Sequence, residues 1–182
     1  PCVTGSFVEI LERMCCDMAA FEPILSGVPG LDQALDHIRL GDNVVWRVSC
    51  VDDFRHFAEP YIQQAIRDKR NLIYIRFAQH KELIPECPEV KRYTLDPNVG
   101  FEPFTIEVHN IAEREGYDAF YVFDCLSELQ VAWAADLMMG NFFQVTCPYL
   151  FQLDTVAYFP VIRGRHAHET IDRIRATTQL LL

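Results

Sequence analysis

Apolar residues along this chain fall into two alternating kinds of run: short stretches that are almost unbroken, and longer ones in which they recur every three or four positions. The short runs Val44–Val48, Leu72–Phe77, Ala119–Phe123 and Thr155–Ile162 read as strands buried on both faces, as in a parallel sheet. The periodic runs predict the helices between them. Asp52 or Asp53 opens one that extends to Asp68, with Phe54, Phe57, Tyr61, Ile62, Ala65 and Ile66 on its inner side. Leu31–Ile38 reads as a short helix, and Phe101–Glu115, Leu126–Phe143 and His166–Arg175 supply the others. A polar loop with Pro85 and Pro88 reaches a short third strand at Val90–Leu95, and Thr177–Leu182 reads as an edge strand. At the start, Ser6-Phe7-Val8-Glu9 is a capping box for an amphipathic helix over Ser6–Phe21, ended by Pro23 and the Gly27 to Gly30 turn.

Strands alternating with helices predict an α/β fold, a three-layer αβα sandwich with a mainly parallel sheet. The N-terminal helix (1–25) is expected to pack on one α/β domain (26–182). No internal repeat or linker divides the chain further.

Composition narrows the function classes. With 182 residues, half of them hydrophobic and 23% charged, the chain has the makings of a single well-packed core. Its formal net charge of −10 argues against a nucleic-acid backbone or an anionic membrane as partner. The seven cysteines are odd in number, lack a C-x-x-C pair and lie largely in apolar runs; they read as reduced thiols in a cytoplasmic protein, with no zinc site. No apolar run reaches membrane-spanning length and no signal peptide opens the chain. A start at Pro1 without methionine and an end within an apolar run suggest a piece of a longer protein.

The most informative stretch is Ser26-Gly27-Val28-Pro29-Gly30-Leu31-Asp32, followed by Gly41-Asp42-Asn43 and the Val44–Val48 strand. These lead to the place where a phosphate-binding loop is expected. Such a loop needs glycines that let successive N–H groups turn inward, and a lysine for the outer phosphates. Here no glycine occurs between Gly41 and Gly100, and the strand is followed by Val51-Asp52-Asp53, whose carboxylates repel an anion.

The order of these pieces resembles the RecA-like ATPases, and within them the KaiC-like branch. The Gly-Xaa-Pro-Gly-Leu-Asp lead-in corresponds to Gly27–Asp32, and the later apolar strand ending in Asp corresponds to Phe120–Asp124. What the resemblance implies is a P-loop NTPase fold from which the loop glycines, lysine and Ser/Thr have gone. Where the family usually has two acidic residues after the second strand, this chain has Ala78-Gln79. Asp124 matches the metal-supporting aspartate but has no triphosphate to organise, so hydrolysis by the family's route is not expected. Gly41–Trp46, Tyr121–Ser127, Gly140–Phe143, Thr146–Leu150 and Leu153–Phe159 also resemble loop-less KaiC-like domains at the N-terminus of phosphoenolpyruvate synthase or pyruvate phosphate dikinase-related proteins. That resemblance implies a regulatory or docking module, not a kinase.

In an open parallel sheet the C-terminal strand ends form the ligand edge. They gather Ser49, Asp52 and Asp53 after the first strand, Gln79 and His80 after the second, Asp124 and Ser127 after the fourth, and Arg163, Arg165 and His166 after the fifth. Three readings stand. Arg163 and Arg165 pair with Asp52, Asp53 or Asp124 and seal the vacated space, leaving an inactive module that works by self-association or with a protein partner. Or Arg163, Arg165 and the His166 helix hold a nucleotide or another small phosphorylated ligand. Or Asp52, His80 and Asp124 converge as a small-molecule active site. Arg47 and Arg76, inside apolar strands, read as paired structural arginines, and His166 and His168 as solvated or capping rather than metal-binding. No cofactor is called for. The aromatic-rich stretch Trp133–Phe159 reads either as a contact surface or as core.

Overall fold

A computed structural model describes residues 23–182; the expected helix over Ser6–Phe21 lies outside them. The first described helix, α1 (Pro29–Leu35), is launched by the Gly-Pro turn and stopped by Asp36 and His37, both in the left-handed region. The strands are β1 (Asn43–Val48), β2 (Leu72–Arg76), β3 (Val90–Thr94), β4 (Phe120–Phe123), β5 (Val156–Ile162) and β6 (Leu180–Leu181). They form one parallel sheet in the order β3-β2-β4-β5-β1-β6. Besides α1, the helices are α2 (Val51–Arg67), α3 (Phe101–Glu115), α4 (Leu129–Trp133), α5 (Asp136–Gln152) and α6 (His168–Thr177).

Side-chain alternation along each strand divides the core into two layers. One layer takes Val44, Trp46, Val48, Tyr74, Val122 and Tyr158 against Phe54, Ala58, Tyr61 and Ala65 of α2. The other takes Val45, Ile73, Ile75, Phe123 and Phe159 against Phe104 and Val108 of α3, Phe142, Phe143 and Cys147 of α5, and Ile174 of α6. The three-layer αβα sandwich expected from the sequence is therefore the observed architecture, with a wholly parallel sheet.

Three local expectations are corrected. The stretch read as helical over Leu126–Phe143 is a 3-10 turn (Leu126–Glu128), then α4, then a break at Ala134, which has a positive φ, and then α5 reaching Gln152. Pro148 does not end α5, because the apolar face that continues past it, Cys147 and Leu150, is buried on the sheet. The last helix starts at His168 instead of His166, and the edge strand shrinks to two residues beside β1.

The topology fixes where a crevice opens. Connections leaving β1 and β2 pass on the α2 side, and those leaving β3, β4 and β5 pass on the α3/α5/α6 side. Neighbouring strands whose outgoing chains part to opposite faces are β1/β5, β2/β4 and β2/β3. Such switch points are the places where an open α/β sheet holds ligands.

Candidate functional site

At the β1/β5 switch point, only Ser49 and Cys50 separate β1 from α2. The Asp53 carboxylate turns back to accept the Cys50 N–H at 3.1 Å. A helix N-terminus favours a negative charge, and here the chain supplies its own. Asp52 pairs with Arg55 one turn along, at 3.3 Å.

At the β2/β4 switch point, the Asp124 side chain is fully buried. Its Oδ2 accepts from Arg76 Nη1 at 2.5 Å, the Phe77 N–H at 3.0 Å and the Ala78 N–H at 2.9 Å, while Oδ1 accepts from the Tyr74 hydroxyl. Three donors converge on Oδ2 and one on Oδ1, and with the side chain fully buried neither oxygen faces solvent to meet a metal ion. Burial, with the Asp124 carboxylate alongside, pushes the Tyr74 phenol well above its ordinary pKa and keeps it a donor. The Tyr74 oxygen in turn accepts the Leu83 N–H at 3.2 Å. His80 lies 3.9 Å from Asp124, with both ring nitrogens engaged: Nε2 receives the Cys125 N–H at 3.3 Å and Nδ1 meets the Lys81 carbonyl at 2.8 Å.

The Asp53 and Asp124 carboxylates are thus engaged within the chain, but not by the arginines expected. Arg76, at the end of β2, closes Asp124, because the register Ile75↔Phe123 sets those two strand ends side by side. Arg165 pairs with Glu128 at 2.9 Å. Arg163 donates from Nε to the Arg47 carbonyl at 2.6 Å. Arg47 departs from its expected pairing: its Nε is buried with no hydrogen-bond partner. Asp52 follows β1 and Asp124 follows β4, and β5 lies between those strands, roughly 10 Å of sheet. Asp52, His80 and Asp124 therefore do not converge.

Ser127, His166 and Asp136 form an arrangement that sequence spacing did not reveal. Ser127 Oγ lies 2.6 Å from His166 Nε2, and His166 Nδ1 contacts Asp136 Oδ1. Asp136 Oδ2 also accepts from the Ala167 N–H at 2.8 Å and Thr170 Oγ1 at 2.7 Å. The connectivity is that of a nucleophile, base and orienting acid. Yet Ser127 is wholly buried, as is the His166 ring, and Ser127 Oγ accepts the Ile162 N–H at 2.9 Å. A hydroxyl enclosed in this way cannot meet a substrate, so the three residues act as a clasp joining the β4 exit, the start of α5 and the β5–α6 loop. Burial raises the Asp136 pKa, but the hydrogen bonds from His166, Thr170 and Ala167 outweigh it and the net shift is downward.

Over the β2 and β3 ends lies a cleft of about 300 Å³ lined by Gln79, Asp96, Asn98 and Glu128, among others. It carries two carboxylates and no cation, which disfavours an anion. Among the described residues, no three His, Cys, Asp or Glu side chains come together in a way that could hold a metal ion, and no helix is long and apolar enough to cross a membrane. Cys50, Cys87, Cys125 and Cys147 are free thiols. No protein-family model matches the chain, and no curated protein sequence matches it.

Proposed function

We propose that this chain is a RecA/KaiC-like domain that has lost its phosphate loop and works by association, as a cytoplasmic regulatory or docking module of a phosphoenolpyruvate synthase-like enzyme. The observation that carries the reading is Asp124: the carboxylate that would support a metal ion is saturated by Tyr74, Arg76 and two backbone amides. Asp53, holding the Cys50 amide at the start of α2, adds a second and independent closure. With both carboxylates engaged within the chain, the outer surface is the working part of this reading.

Most aromatics of the Trp133–Phe159 stretch are core, with Phe142, Phe143, Tyr158 and Phe159 fully buried. Exposed apolar side chains on the α3/α4/α5 layer include Ile106, Val131, Val145 and Phe151, and Val131 is 72% exposed. That layer is the surface on which a second copy or a partner protein would sit. Sedimentation velocity tests it: the sedimentation coefficient is expected to rise with concentration and to become concentration-independent in an Ile106→Asp, Val131→Asp double variant. A monomer at all concentrations that also fails to retain any protein of the enzyme complex would overturn the association reading.

A further inference from the structure

Three successive strand-end loops enclose the cleft of about 300 Å³ over the β2 and β3 ends. The chain leaves β2 toward the α2 side and β3 toward the α3 side, so the cleft lies at a switch point of the sheet. Its walls are residues 77–79, 95–98, 128, 131 and 132, and β5, β4 and β1 lie between them and β6. Each wall is pinned. The Phe77 and Ala78 amides are bound to Asp124 at 3.0 and 2.9 Å, Trp133 Nε1 donates to the Pro97 carbonyl at 3.1 Å, and the Glu128 N–H donates to the Cys125 carbonyl at 3.0 Å. A site held in this way meets a ligand without the cost of ordering its loops.

The polar groups left over in the cleft are mostly acceptors. Asn98 donates both its backbone N–H and its Nδ2 to Asp96 Oδ1, at 2.9 and 2.8 Å, which leaves Asp96 Oδ2 and Asn98 Oδ1 with no hydrogen bond among the described residues. Arg165 Nη1 donates to Glu128 Oε1 at 2.9 Å and leaves Oε2 in the same state. Leu95, Val131 and Ala132 add apolar wall. An ammonium group has three donors, no acceptor and the charge that two carboxylates favour. A metal ion fits less well, since no three ligating side chains come together among the described residues. We infer that the cleft binds a small aliphatic amine, its ammonium group on the Asp96 and Glu128 carboxylates beside the Asn98 side-chain carbonyl, and its carbon chain against Leu95, Val131 and Ala132. The site requires no protein partner, so its failure and that of the association reading are separable.

Isothermal titration of the full chain at low salt with putrescine, 1,4-butanediol and succinate, carbon chains of equal length that differ in their end groups, tests the proposal. Saturable one-to-one binding of putrescine is expected, with none of the diol or the diacid. It should weaken at least about tenfold in Asp96→Asn and in Glu128→Gln, each of which removes a charge-assisted hydrogen bond. It should stay unchanged in Glu113→Gln, which alters an exposed acid of α3 outside the cleft. Asp96→Asn keeps an acceptor for the Asn98 N–H, so the loop retains its cap. Absence of saturable putrescine binding, equal binding of the diol, several equivalent sites that Glu113→Gln weakens as much, or binding indifferent to Asp96 and Glu128 would each overturn it.

Discussion

Gly27 shows how narrowly single positions are set. Its φ is +79°, and a Cβ there would lie 2.2 Å from the Pro60 carbonyl oxygen, so the lead-in turn presses directly on α2. Gly27→Ala is expected to cost at least about 2 kcal/mol in a urea titration, combining left-handed strain with backbone displacement. Gly30→Ala, with open space around it and a helical backbone, should be neutral or slightly stabilising. Asp124 carries more. Asp124→Ala leaves the Tyr74 hydroxyl, the Arg76 guanidinium and two buried amides without their acceptor, and a loss of about 3–5 kcal/mol is expected by the same measurement. Asp136 gives a pH signature. Its folded pKa lies below the ordinary 3.8, so its contribution is fully present above that value and fades as pH falls through the folded one. Asp136→Asn should therefore lower stability at neutral pH by roughly 1–2 kcal/mol and flatten the fall in stability below about pH 4. A pH profile parallel to the parent's would contradict this.

At the scale of elements, most of the fold was legible in the sequence, and the reasons are local. Short unbroken apolar runs rich in aromatic and β-branched residues, such as Phe120–Phe123, fit strands covered on both sides, and the inner face of α2 follows from Phe54, Ala58, Tyr61 and Ala65 at helical spacing. What was not legible depended on contacts distant in sequence. The break at Ala134 has no Gly or Pro to announce it, and α5 runs through Pro148 because its buried face outweighs one lost backbone bond. The candidate site shows the same division. The missing phosphate loop and the Asp52-Asp53 carboxylates stand in the sequence, whereas the partners do not. Arg76 reaches Asp124 only through the β2/β4 register, and Asp136 reaches His166 only because the start of α5 and the β5–α6 loop meet in space. Strand ends four elements apart carry no mutual periodicity, so charges facing one another there had to be seen.

For the whole molecule, the chain meets two of the sheet's switch points with its own residues: Asp53 on the Cys50 amide at the start of α2, and Arg76 with Tyr74 on Asp124. Thiol accessibility offers a check on its solidity. Burial pushes the Cys125 thiol up to about 11, and Cys125 and Cys147 should resist an aqueous thiol reagent until unfolding, while exposed Cys50 reacts at once. The most direct measurement is magnesium-dependent release of labelled phosphate from ATP by the purified chain, with Asp124→Ala run alongside. The account predicts release indistinguishable from the protein-free background for both proteins. Turnover by the parent that Asp124→Ala abolishes would mean that the carboxylate is free to organise a metal ion, and would contradict the buried, paired Asp124 on which the reading rests.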